Sequence, residues 1–134
     1  MSVRSVSAGP RSPICGRYSA APSTLQEDAL YKRCGERVDA QHLVEFYEVP
    51  SYLGLSRLIE ERATIDFVFV DGAHTFDYVL VDVFLINKLP RPGGIIILDD
   101  LLYPSIRIVC RYVLLNLRYK CAGQNAAYAR LAKA

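Results

Sequence analysis

Two short runs of almost unbroken apolar residues dominate the chain, IDFVFVD at residues 65–71 and GIIILDD at residues 94–100. Runs of this length and continuity are the pattern of β-strands covered on both faces. Between them, residues 76–89 place Phe76, Val79, Leu80, Val83, Phe84 and Ile86 at helical spacing. Pro90, Pro92, Gly93 and Gly94 then end that helix and turn the chain back. A strand, a helix and a second strand joined by so long a connection form a right-handed crossover, so the two strands are expected to be parallel and adjacent. Residues 104–120 predict a further helix, with Ile106, Val109, Cys110, Val113, Leu114 and Leu117 inward and Arg107, Arg111 and Arg118 toward solvent.

The first half of the chain carries weaker patterns. Ser23 with Gln26 and Thr24 with Glu27 fit the capping-box spacing, which starts a helix reaching about Arg33 and stopping near Gly35. Residues 43–49 (LVEFYEV) read as a strand, and residues 53–62 as a short helix with Leu55, Leu58 and Ile59 on one face. Residues 1–22 are rich in Ser, Pro and Gly, hold Arg4, Arg11 and Arg17 and no acid, and read as a disordered leader. The expected organisation is leader 1–22, an α/β domain over 23–120 and a basic tail over 121–134.

At 134 residues, 51% of them apolar and 22% charged, the chain accommodates one small domain. Such a domain buries roughly two-thirds of its unfolded surface and needs no disulfide or structural metal to hold a core. The apolar runs are far short of the ~20 residues of a bilayer span, so no membrane association is expected. The four cysteines, at 15, 34, 110 and 121, have no metal-ligand spacing, and the simplest reading is reduced thiols in a cytoplasmic protein. Charge is distributed unevenly: residues 65–100 hold six Asp against one Lys and one Arg, while residues 101–134 hold six basic residues and no acid. The basic helix lacks any nucleic-acid motif or aromatic interleaving and reads as a solvated face, so no nucleic-acid partner is expected.

The acidic bias has a chemical consequence. In adjacent parallel strands the carboxyl ends share one rim, where open α/β sheets bind ligands. Asp71 ends one strand, and Asp99 and Asp100 end the other. Carboxylates gathered there repel one another unless one is protonated or a cation lies among them. An all-oxygen set suits a hard divalent ion such as Mg²⁺. His74, three residues past Asp71, is suited to take a proton from a substrate hydroxyl. A plainer reading stands beside this one: Asp71-Gly72 is a good turn pair, and His74 is equally a loop residue before Thr75 as helix N-cap. Tyr78 and Tyr103 flank the same rim, and Asp66, Asp77 and Asp82 read as structural or exposed.

The stretch IDFVFVDGAHTFDYVLVDVFLINKLPRPGGIIILDD, followed by YPSIRIVCRYVLLNL, resembles the class I S-adenosylmethionine-dependent methyltransferases, in particular the metal-dependent small-molecule O-methyltransferases. The resemblance covers residues 42–120 and rests mainly on 65–107. It implies an α/β, Rossmann-like fold with a mostly parallel sheet and flanking helices, truncated relative to the seven-stranded methyltransferase fold and lacking its last two strands. It implies Mg²⁺ at Asp71, Asp99 and Asp100, His74 as general base, and S-adenosylmethionine as methyl donor to the hydroxyl of a small-molecule acceptor. Cofactor contacts are implied at Ser23, Asp39 and Asp71. Ser23 follows the place where the family has a glycine-rich turn, and Asp39 stands where an acidic residue holds the ribose hydroxyls. The glycines of that turn are absent from residues 19–25.

Two functions of different classes follow: an S-adenosylmethionine-dependent O-methyltransferase, and a catalytically inactive methyltransferase-like remnant that acts as a binding or interaction module. A nicotinamide-dependent oxidoreductase is disfavoured, because the chain has no GxGxxG. Assembly of identical chains through the sheet edge is left open by the sequence.

Overall fold

A computed structural model describes residues 2–4, 47 and 49–134. Five strands and three helices occur among them: β1 (Ser2–Arg4), α1 (Ser51–Glu60), β2 (Ile65–Asp71), α2 (Phe76–Ile86), β3 (Pro90–Leu98), α3 (Pro104–Asn116), β4 (Tyr119–Gln124) and β5 (Ala129–Lys133). The expected helix at 23–33, most of the strand at 43–49, and the residues Ser23 and Asp39 lie outside the described residues. Of the expected leader, Ser2–Arg4 form an edge strand antiparallel to β2.

β2 and β3 are parallel and adjacent, with Val70 opposite Leu98. The sheet order is β1-β2-β3-β5-β4, so the described strands form a mixed sheet, with every pairing other than β2-β3 antiparallel. The α/β, Rossmann-like expectation is met in this form. The central strands bury Ile65, Val68 and Val70 in β2, across a register irregularity between Ile65 and Phe67, and Ile96 and Leu98 in β3. The helices pack in series, α1 on α2 and α2 on α3. Leu55 and Leu58 of α1, Val79, Val83 and Ile86 of α2, and Ile106, Val109 and Val113 of α3 face the common core. Phe76 and Phe84, inward by spacing, are exposed, whereas Asp82 is buried on the core side of α2.

Helix ends use backbone geometry. At the end of α1, Arg62 takes a left-handed conformation (φ 54°), and Ala63 N–H donates to Leu58 O while Arg62 N–H donates to Ile59 O. This is the Schellman arrangement, with Arg in the place Gly usually takes. α3 opens on Pro104, where the missing N–H costs nothing.

The expected basic tail is instead a β-hairpin. β5 pairs antiparallel with β3, placing Leu98 opposite Ala129, and β4 pairs with β5 on the outside. Tyr119, Ala129 and Leu131 are buried, which supplies the apolar anchor, while most other positions are exposed. Asn125 organises the turn, its Oδ1 accepting N–H bonds from Ala127 (2.8 Å) and Tyr128 (2.9 Å). The chain therefore continues for two strands after α3, where the resemblance implied none.

Candidate functional site

The rim formed by the carboxyl ends of β2 and β3 brings together the ionisable side chains Asp71, His74 and Asp100. Asp71 is the last residue of β2. The ladder continues past β3, since Asp99 N–H donates to Val70 O at 3.1 Å. At Asp100 the backbone turns left-handed (φ 59°), a conformation Asp tolerates better than most residues. The next two bonds fix this turn: Leu101 N–H donates to Ala127 O at 2.8 Å, and Tyr103 N–H donates to Asp100 O at 3.0 Å.

This geometry gathers Asp71, His74 and Asp100, each offering one ligand atom within 4.8 Å of the others. Asp99 is not a member of the group, which departs from the three-carboxylate set read from the sequence. At the left-handed turn Asp100 brings its carboxylate to His74 Nε2. Asp99 still acts through its charge. The Asp71 carboxyl is raised above its ordinary range, first by partial burial and then by the charges of Asp99 and Asp100, with His74 opposing.

His74 is held on three sides. Its Nε2 lies 2.5 Å from Asp100 Oδ2. Its ring stacks on Tyr103, with centroids 4.2 Å apart and planes within 5°. Its carbonyl accepts a hydrogen bond from Ser105 Oγ. The sequence placed Tyr103 only at the flank of this rim and did not single out Ser105. The visible signal for Ser105 is its position just after Pro104 at the start of α3, a place where hydroxyl side chains reach neighbouring backbone.

Two carboxylates and an imidazole in partly exposed positions suit a divalent cation. With the His74 Nε2 engaged by Asp100, the two carboxylates are the oxygen ligands left to a cation, a pair that suits hard ions such as Mg²⁺ or Mn²⁺. Among the described residues no helix is long and apolar enough to cross a membrane.

A family profile described as a methyltransferase domain matches residues 15–101. A search of curated proteins finds no match. Among solved structures, the O-methyltransferase from Bacillus cereus in complex with SAH is similar over 94% of this chain and 64% of its own, at 15% identity and TM-score 0.67. A Klebsiella pneumoniae protein assigned as an O-methyltransferase is similar over 92% of this chain and 62% of its own, at 14% identity and TM-score 0.67. The TDP-rhamnose 3'-O-methyltransferase of calicheamicin biosynthesis is similar over 91% and 58%, at 18% identity and TM-score 0.65. The fold is thus the Rossmann-like fold of class I methyltransferases, and the chain belongs to the methyltransferase domain family. It spans less than two-thirds of the length of these structures.

Proposed function

We propose that this chain provides the acceptor side of an S-adenosylmethionine-dependent O-methyltransferase that acts on a small-molecule hydroxyl with a divalent cation. The observation that carries the reading is the convergence of Asp71, His74 and Asp100 at the strand-end rim of a methyltransferase domain. The Bacillus cereus neighbour's complex with SAH supports the donor, and the calicheamicin enzyme, a TDP-rhamnose 3'-O-methyltransferase, supports the acceptor class.

Asp71 and Asp100 would hold the cation, which when bound acidifies a coordinated hydroxyl. S-adenosylmethionine supplies the methyl group, so no protein nucleophile is required. The protein's part is to place the acceptor and manage its proton. With the Nε2 proton shared with Asp100, His74 presents the Nδ1 lone pair as the proton acceptor and at the same time orients the Asp100 carboxylate. Ser23 and Asp39, with Asp71, are the residues this reading assigns to the cofactor.

Calorimetry of the purified chain with S-adenosylmethionine, with and without Mg²⁺ or Mn²⁺, tests this reading. Saturable cofactor binding together with divalent binding that Asp100→Asn removes supports it. Divalent binding without cofactor binding rejects methyl transfer by this chain and favours the interaction-module reading.

A further inference from the structure

His74 is oriented by a contact that sequence spacing does not announce. The Tyr103 ring lies parallel to the imidazole at 4.2 Å, while Tyr103 N–H is tied to Asp100 O and Ser105, two residues on, holds the His74 carbonyl. The loop from Asp100 to Ser105 therefore grips His74 at its ring and its backbone, and supplies the carboxylate that meets Nε2. The imidazole turns about its Cβ–Cγ bond, and that rotation would break the Nε2 contact with Asp100. A flat partner stacked face to face opposes that rotation, because tilting either ring loses dispersion contact across the whole face.

We propose that Tyr103 is a positioning residue, whose ring holds the His74 imidazole in the plane that keeps Asp100 and Asp71 in ligating geometry. The proposal rests on the divalent-cation reading of this rim. Tyr103 is 46% exposed and meets the group through its stack on His74, so its contribution passes through His74 and not through the core. The face, not the hydroxyl, carries the effect; phenylalanine should serve as well as tyrosine, and an aliphatic side chain of similar bulk should not.

The test combines metal affinity with a metal-free signature. Mn²⁺ binding is followed by electron paramagnetic resonance in the wild type, Tyr103→Phe, Tyr103→Leu, His74→Ala and the double variant His74→Ala/Tyr103→Leu. Tyr103→Gln is a second non-aromatic replacement, guarding against a folding defect specific to leucine. Tyr103→Leu and Tyr103→Gln are expected to weaken Mn²⁺ binding by about tenfold, the usual scale for losing a group that orients a ligand. Tyr103→Phe is expected to stay within about twofold of wild type, and Tyr103→Leu to add nothing once His74 is alanine. In the metal-free protein, the imidazole proton resonances of His74, identified by their loss in His74→Ala, should be shifted upfield by the stacked ring. That shift should persist in Tyr103→Phe and vanish in Tyr103→Leu. Unchanged Mn²⁺ affinity in Tyr103→Leu, or an equal loss in the His74→Ala background, overturns the proposal. A wild-type chain that shows the upfield shift but binds no Mn²⁺ also overturns it, and locates the failure in the divalent-cation reading instead of in the stack.

Discussion

The amide of Leu101 donates to the carbonyl of Ala127 at 2.8 Å, joining the loop that carries Asp99 and Asp100 to the turn of the C-terminal hairpin. The hairpin thus buttresses the loop through β5 paired along β3 and through this bond at the strand end. The residues that place Asp100 are distributed from β2 to the hairpin, and a change in the hairpin reaches the carboxylate without touching it.

Leu131 measures how far the hairpin belongs to the domain. It is fully buried, opposite Ile96, and its truncation leaves a cavity between β5 and the sheet core. Leu131→Ala is expected to lower stability by about 2 to 5 kcal/mol, read from urea denaturation midpoints with an unchanged slope. A loss below about 0.5 kcal/mol would show that the segment behaves as a loose tail.

The two kinds of glycine before β3's apolar run separate cleanly. A Cβ on Gly94 would lie 2.9 Å from Arg91 O and from Pro90 Cβ, and 3.2 Å from Ile65 O, where backbone has no freedom to withdraw. Gly93 has open space but sits at φ +83°. Gly94→Ala should therefore cost about 1 to 3 kcal/mol through overpacking at the irregular register between Ile65 and Phe67. Gly93→Ala should cost about 1 kcal/mol through backbone strain alone. Thermal unfolding of both variants against wild type checks the order; a larger loss in Gly93→Ala than in Gly94→Ala would contradict it.

The central crossover was legible because β2 and β3 are continuous apolar runs, and the carboxylates were legible because they end those runs. Which of two adjacent acids joins His74 was not legible, since it depends on the left-handed turn at Asp100, a conformation that no glycine there advertises. The hairpin escaped for a related reason. Residues 119–133 hold five alanines, a residue of weak strand propensity, and the buried set of Tyr119, Ala129 and Leu131 is too sparse to form a pattern before the strands are paired. Asp82 did carry a signal: it lies three residues after Val79 and beside Val83, on the face that the helix buries.

Asp82 is 1% exposed, and its Oδ2 has no hydrogen-bond partner among the described residues. Burial pushes its carboxyl up to about 6, and the neighbouring Ser51 hydroxyl pulls the other way without making a full hydrogen bond. The folded protein holds this proton more tightly than the unfolded chain, so the stability it contributes is present below about pH 4 and lost as pH rises to about 6. Asp82→Asn removes the ionisation and should flatten that slope. It should raise stability at neutral pH by on the order of 2 to 3 kcal/mol, provided the amide finds partners as good as the protonated acid has. Denaturant midpoints at about pH 4.5 and about pH 7.5 read the difference, and an identical pH slope in both proteins would refute the assignment.

Asp71 presents the same sign of shift at the candidate site, with a different consequence. Partial burial and the charges of Asp99 and Asp100 hold its proton on to a higher pH than in the unfolded chain. Its ionisation thus weakens the metal-free fold as pH rises from the ordinary carboxylate range, while the same ionised oxygen is what a cation would bind. Asp71→Asn should therefore stabilise the metal-free protein at neutral pH and diminish its pH slope. It should also weaken Mn²⁺ binding by at least about tenfold, because one anionic ligand is replaced by a neutral one. The two readouts move in opposite directions only if the carboxylate is kept for a ligand at the expense of the fold. A variant that loses stability together with Mn²⁺ affinity would mark Asp71 as a structural turn residue, the role that the Asp-Gly pair at the end of β2 otherwise suggests.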